Sequence, residues 1–84
     1  MPLEQQLKAQ NLRPGWATII DRLYELKAKL PCGVATRFGN GSWKMEVAFR
    51  TWEDHFTVWK NHEVVCRFTL DFKGDIQVDQ PLCL

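Results

Sequence analysis

Apolar side chains recur at every second position over residues 64–72. The apolar members of this stretch are Val64, Cys66, Phe68, Leu70 and Phe72. Strict alternation is typical of a strand that buries one face. We therefore predict a strand over residues 64–72, and the rest of the chain must supply a layer that packs on its inward face.

An apolar stripe with helical spacing lies nearer the N-terminus. Its members are Trp16, Ile19, Ile20, Leu23, Leu26 and Leu30. This spacing predicts one amphipathic α-helix, with Pro14 suited to its first turn and Pro31 ending it. We expect residues 1–12 to be either frayed or a short helix that docks loosely, and residues 80–84 to be a tail.

Residues 33–38 and 43–50 are predicted to form a hairpin about residues 39–42. The Asn-Gly pair within this turn permits the positive φ values of a type I′ turn. Counting outward from the turn sets Arg37 opposite Lys44 on the outer face, and like charges in that arrangement are mildly destabilising.

Residues 51–60 allow two interpretations. Thr51-Trp52-Glu53-Asp54 resembles the capping box of a second helix. The β-branched and aromatic residues that follow favour a strand instead, with a turn at residues 60–63 before the alternating strand, and we take this interpretation. A turn of even length would place Trp59 in the core opposite Val64, whereas a turn of odd length would direct it outward.

These elements together predict an α+β fold. One amphipathic helix packs on one face of a four- to five-stranded antiparallel sheet, as a two-layer sandwich. The last hairpin is predicted to have the loop 73–75, which sets Phe72 against Ile76. The chain has 84 residues, so we expect residues 1–84 to form a single domain.

No motif for catalysis, a cofactor or a metal ion is found in the sequence. His55, His62, Cys32 and Cys66 do not have the spacing of a zinc finger or ribbon. We therefore predict that the protein is not an enzyme and holds no cofactor and no metal. Three cysteines cannot all pair within one chain, which favours a reduced, cytoplasmic setting. No apolar run is long enough to predict a membrane span.

The outer face of the predicted sheet collects basic side chains. A basic face that carries a Trp is typical of platforms for single-stranded nucleic acid and of protein-binding hot spots. Trp52 is expected to be exposed in a loop beside acidic residues. The predicted binding residues are Arg37, Lys44, Arg50, Trp52, Trp59 and Arg67.

Two functional hypotheses follow. The first is a small non-catalytic module, such as an adaptor, an inhibitor or a complex subunit, that binds another protein through this face and the Trp52 loop. The alternative is a nucleic-acid-binding protein, although the net charge of +1 gives little overall attraction to phosphate. An uncovered edge strand, at residues 33–38 or 76–79, would also permit a homodimer.

Overall fold

The structure, a computed structural model, describes residues 2–27, 29 and 36–83. The elements are α1 (Leu3–Ala9), α2 (Trp16–Lys27), β1 (Thr36–Asn40), β2 (Trp43–Phe49), β3 (Glu53–Lys60), β4 (Glu63–Asp71) and β5 (Ile76–Gln80). The strands form one antiparallel sheet in the order β1-β2-β3-β4-β5. This confirms the α+β class, the antiparallel sheet and the strand within residues 51–60, and it adds a second helix. Leu30, Pro31, Cys32 and the predicted strand residues 33–35 lie outside the described residues.

The core is centred on Phe68, whose side chain is 0% exposed. Its ring stacks on that of Phe56, with centroids 4.9 Å apart, and on that of Trp16, 6.0 Å away.

Leu7 of α1 is also 0% exposed. Full burial of a Leu contributes about 1.5–3 kcal/mol to folding. Of the two alternatives predicted for residues 1–12, the structure shows the short helix, α1, with Leu7 in the core.

The buried stripe of α2 is centred nearer Tyr24 than predicted. Ile20 and Leu23 are fully buried, but Leu26 is 39% exposed. The ring of Tyr24 packs instead, with its centroid 5.9 Å from that of Phe49. At about 100° per residue, Tyr24 and Leu26 lie on opposite sides of the line through Ile20 and Leu23. A helix that rotates Tyr24 inward must rotate Leu26 outward.

The turn between β1 and β2 comprises residues 41–42, whereas the predicted turn comprised residues 39–42. Its turn is Gly41-Ser42, with Gly41 at φ 63°, so that Asn40 pairs with Trp43. Positive φ costs a Gly little. The pairing differs from the predicted one by two residues, a shift that leaves the residues of β2 on their predicted faces. Hydrophobic patterning cannot distinguish registers that differ by two residues. The predicted pairing of Arg37 with Lys44 is wrong, because Arg37 pairs with Glu46.

A two-residue turn, Asn61-His62, joins β3 to β4. Both residues have positive φ, 51° and 68°, as a type I′ turn requires. Trp59 pairs with Val64, which is the pairing predicted for a turn of even length. That prediction also placed Trp59 in the core.

A β-bulge beside this turn reverses the side to which Trp59 points. Trp59 pairs with Val64, but the adjacent Val58 pairs with Cys66, so Val65 has no opposite residue. Without the bulge, Val64 and Cys66 would share a face and Trp59 would be buried with them. Instead Val58 is 1% exposed in the core, and Trp59 is half-buried on the outer face.

The last hairpin contradicts the predicted position of Phe72, which is 70% exposed. Leu70, rather than Phe72, pairs with Ile76. The connection between β4 and β5 is residues 72–75 rather than residues 73–75. This shift again spans two residues of pairing, so Ile76 remains inward while Phe72 leaves the sheet for the loop.

The described residues beyond β5 contact β4 and the core. The backbone N–H of Cys83 donates to the carbonyl of Val65 at 2.9 Å, and Leu82 packs against the core. Cys66 and Cys83 are both free thiols. No helix in the described ranges is both long and apolar enough to cross a membrane.

Candidate functional site

The antiparallel order divides the predicted binding residues between the two ends of the sheet. Lys44 and Trp59 lie near the turns of the β1–β2 and β3–β4 hairpins. Arg50 and Trp52 lie at the opposite end, between β2 and β3. Arg67 is exposed on the outer face of β4, between the two ends. The five predicted binding residues whose side chains the structure describes therefore do not form one continuous patch.

Trp52 meets a partner that the sequence did not predict. Its ring contacts that of Phe72 in a T-shaped arrangement, with centroids 5.9 Å apart and planes at 68°. Each of the two residues is 70% exposed. The backbone N–H of Phe72 donates to the carbonyl of Trp52 at 3.0 Å. We call Trp52 and Phe72 the aromatic pair; the exposure predicted for Trp52 is confirmed.

The loop that presents Phe72 is held by Asp71. One carboxylate oxygen, Oδ1, accepts the backbone N–H groups of Lys73 and Asp75, both at 2.9 Å. Gly74 has φ 86°, a conformation that favours glycine. An Asp at the first position and a Gly at the fourth are typical of a type I turn. Asp71-Phe72-Lys73-Gly74 carried that signal, which would have placed Phe72 in the loop.

Beneath the aromatic pair, β3 is fastened to α2 by a buried carboxylate. Asp54 is 7% exposed and accepts a hydrogen bond from the Tyr24 hydroxyl at 2.6 Å. Burial, this hydrogen bond and the negative charge of Asp54 raise the pKa of Tyr24 well above its usual range. The backbone N–H of Arg50 also points to Asp54, at 3.4 Å. These contacts fix the strand beside Trp52.

Charged side chains of both signs surround the aromatic pair. A cavity of about 80 Å³ is bounded by Arg50, Glu53, Asp54 and both rings. The Lys73 ammonium lies 5.7 Å from the centroid of Phe72. The arrangement offers two large aromatic surfaces with charged groups at their border, which is the composition of a protein-binding hot spot.

The opposite end of the sheet is less basic than predicted. Arg37 pairs in register with Glu46, not with Lys44; its side chain lies outside the described part of the structure. The Lys44 ammonium lies 3.8 Å from the Glu46 carboxylate and 4.6 Å from the centroid of the Trp59 ring. Lys44 thus covers the aromatic surface on which a base would stack.

The middle of the outer face is a polar concavity of about 540 Å³, lined in part by His55, Arg67, Thr69 and Asp79. Nε2 of His55 lies 3.2 Å from the Glu53 carboxylate. Arg67 therefore shares this surface with acidic groups. Within the described ranges, no three His, Cys, Asp or Glu side chains gather as a metal-binding group.

Burial changes the pKa of one thiol. Burial raises the pKa of Cys66 to about 11, since a thiolate is poorly solvated in an apolar core. A raised pKa makes a thiol less nucleophilic at neutral pH.

Comparison with protein-family models, with curated proteins and with solved structures finds no match for this chain.

Proposed function

We propose that this protein is a small non-catalytic binding module, an adaptor, inhibitor or complex subunit, that engages another protein through the aromatic pair and the adjoining outer face of the sheet. The observation that carries the proposal is the joint exposure of Trp52 and Phe72, 70% each. Trp is enriched at energetic hot spots, and large aromatic side chains dominate interface energetics.

The aromatic pair is organised before any partner arrives. Trp52 and Phe72 come from two different connections, and a backbone hydrogen bond of 3.0 Å joins them. Binding costs free energy when side chains and loops must be ordered at the interface. Asp71 lowers that cost here because its carboxylate already holds the loop of Phe72 through two hydrogen bonds.

We also propose the two-layer arrangement, with the helices as one layer and the sheet as the other. The stacking of Trp16 of α2 on Phe68 supports it. In that arrangement the outer face of the sheet is available to a partner. The two free thiols, Cys66 and Cys83, support a reduced and therefore cytoplasmic setting.

Nucleic-acid binding is our second proposal, and it has one supporting observation. Lys44 and Trp59 meet beside a cavity of about 260 Å³ at the turn end of the sheet. Against it, Glu46 lies 3.8 Å from Lys44. An oligonucleotide interface also needs several uncompensated cations, and affinity then falls steeply with salt.

Affinity capture separates the two proposals. Immobilised wild-type protein and the variants Trp52→Ala, Phe72→Ala and Lys44→Glu are each exposed to extract of the native source, with and without nuclease. Thr51→Ala, an exposed neighbour of Trp52, serves as the matched control. Bound proteins are identified by mass spectrometry and bound nucleic acid is quantified.

We expect the extract to contain a protein that wild type, Thr51→Ala and Lys44→Glu retain and that Trp52→Ala and Phe72→Ala do not. Treatment with nuclease should not change the recovery of this protein. Retention of the same proteins by Trp52→Ala would refute the aromatic pair as the contact. Recovery of nucleic acid that Lys44→Glu abolishes would favour the second proposal. Thermal denaturation of each variant beforehand shows that a lost contact is not lost folding.

A further inference from the structure

Two hairpin turns lie side by side at one end of the sheet and border a cavity of about 260 Å³. The turns are Gly41-Ser42 and Asn61-His62, and the backbone N–H of Asn61 donates to the carbonyl of Ser42 at 3.0 Å. This hydrogen bond ties one turn to the other. The walls of the cavity are therefore in place before a ligand arrives, as is usual for small-molecule sites.

The polar groups that line this cavity are cationic or neutral. Lys44 supplies an ammonium, His62 an imidazole, Ser42 a hydroxyl and Asn61 a carboxamide, and each of these can donate a hydrogen bond. None of the described residues that line the cavity is acidic. The Glu46 carboxylate lies 3.8 Å from the Lys44 ammonium, but these side chains are 23% and 39% exposed, and such ion pairs contribute little. The lining therefore attracts an anion.

Two half-buried indole rings, those of Trp43 and Trp59, form the apolar part of the lining. Nε1 of Trp59 is buried, so the part of this ring that meets the cavity is carbon. Two further cations flank Trp43. The Arg13 guanidinium and the Lys60 ammonium each lie 4.9 Å from the centroid of its ring. A ligand would thus meet apolar surface beside a group of donors, in a region of positive potential.

The size of the cavity and the donors together define the class of ligand. Sites for drug-sized molecules have volumes of about 300–1,000 Å³, so a cavity of about 260 Å³ suits a smaller molecule. A Lys ammonium binds phosphate as a point charge. A phosphate monoester also presents three acceptor oxygens, whereas a carboxylate presents two. The monoester therefore makes fuller use of the donors in the lining.

We propose that the cavity between the two turns binds a small organic phosphate monoester, with the phosphate at Lys44 and the organic part against the indole carbons of Trp43 and Trp59. A nucleic-acid platform needs exposed rings on which bases stack, whereas Lys44 covers the ring of Trp59 at 4.6 Å. The monoester site needs no such stacking. This inference is independent of the aromatic pair and does not rest on either proposed function.

The test is a titration with phenyl phosphate, followed through the indole N–H signals in ¹H–¹⁵N NMR spectra. Each signal is assigned by its loss in Trp43→Phe, Trp59→Phe or Trp52→Phe. We expect phenyl phosphate to shift the signals of Trp43 and Trp59 and to leave that of Trp52, at the opposite end of the sheet, in place. Inorganic phosphate should bind more weakly, because it lacks the part that contacts the rings.

Two variants remove donors from the site. Lys44→Met should raise the dissociation constant for phenyl phosphate at least about tenfold, because a hydrogen bond between charged groups is lost. Ser42→Ala, at an exposed position, should raise it roughly two- to tenfold. Lys73→Met serves as the matched control, since it removes an exposed cation at the opposite end of the sheet and should change nothing. Thermal denaturation of each variant checks that it is folded.

Three results would overturn the proposal. The first is no shift at Trp43 and Trp59 up to roughly 10 mM phenyl phosphate. The second is a dissociation constant that neither Lys44→Met nor Ser42→Ala changes. The third is tighter binding at the same two indoles by a single-stranded oligonucleotide without terminal phosphates, which would favour nucleic-acid binding instead.

Discussion

The hydrogen bond between Tyr24 and Asp54 gives a sharp test of how α2 is fastened to the sheet. Tyr24→Phe removes only the hydroxyl that donates to Asp54 at 2.6 Å. The ring keeps its contacts with Phe49 and Phe56, at centroid distances of 5.9 and 6.3 Å. Any loss of stability then reports on the hydrogen bond rather than on packing.

The magnitude follows from the burial of the acceptor. Asp54 is 7% exposed, and a hydrogen bond to a charged group is worth about 1.5–3 kcal/mol. We expect Tyr24→Phe to lower the free energy of unfolding by about 2 kcal/mol. For a domain of this size that is a fall in Tm of roughly 10 °C. The coupling energy in a double-mutant cycle with Asp54→Asn should be about 1–2 kcal/mol.

The same variant has a distinctive pH dependence. The pKa of Tyr24 is raised above its ordinary value of 10.0 by burial and then by Asp54. A group whose pKa is higher in the folded state stabilises the protein below its unfolded pKa, and that stability is lost as pH rises further. Wild type should lose this contribution above pH 10, whereas Tyr24→Phe has none to lose.

Urea denaturation at neutral pH and above pH 10 measures both effects. Tyr24 is the single tyrosine of the chain, so ultraviolet titration follows its ionisation without interference. A stability difference below about 0.5 kcal/mol at neutral pH would contradict a hydrogen bond to a buried charge. A difference that is the same at both pH values would contradict the cause given for the raised pKa.

Two further predictions use matched controls within the chain. Burial raises the pKa of Cys66 from 9.0 to about 11. The free energy of unfolding should therefore fall by about 2 kcal/mol between pH 8 and pH 10.5. Cys66→Ala should remove this loss, whereas Cys83→Ala, at an exposed thiol, should not. Gly41→Ala should cost about 1–2 kcal/mol in thermal denaturation, because φ is 63° there while no atom lies within 4 Å of the added Cβ. Gly15→Ala, with equal space and no positive φ, should cost nothing measurable; equal effects at both glycines would refute the backbone explanation.

Side-chain periodicity and turn signals were sufficient to predict the α+β class with an antiparallel sheet. The alternation that includes Leu70 and the helical spacing of Ile20 and Leu23 predict which side chains are buried. Those three residues are buried as predicted. The β-branched and aromatic residues favoured a strand in residues 51–60 over a second helix, and the structure confirms it as β3.

Registers were not predictable to the same degree. A slip of two residues leaves every side chain on its face, so the turn decides between registers. At Gly41 and at Asp71 the turn differs from the predicted one by such a slip. The Asp-x-x-Gly pattern at Asp71 would have corrected the second turn. It would thereby have placed Phe72 in the candidate site.

The orientation of Trp59 could not be derived from turn length at all. A bulge that leaves Val65 unpaired changes the parity of β4, and nothing in a run of two valines marks which one is extra. The contacts of Gln6 could not be derived from the sequence either. Its hydrogen bonds reach Gly74 and Ile76, 68 and 70 positions away along the chain, and only a three-dimensional structure brings such groups together.

The affinity of a captured partner for Trp52→Ala is the most direct test of the proposed binding surface. Calorimetric titration of the purified partner into wild type, Trp52→Ala and Thr51→Ala gives three dissociation constants. Truncation of a hot-spot aromatic costs 2 kcal/mol or more, so we expect Trp52→Ala to bind roughly thirtyfold more weakly, with an unchanged free energy of unfolding. A dissociation constant within about twofold of wild type would mean that the aromatic pair is not the contact surface.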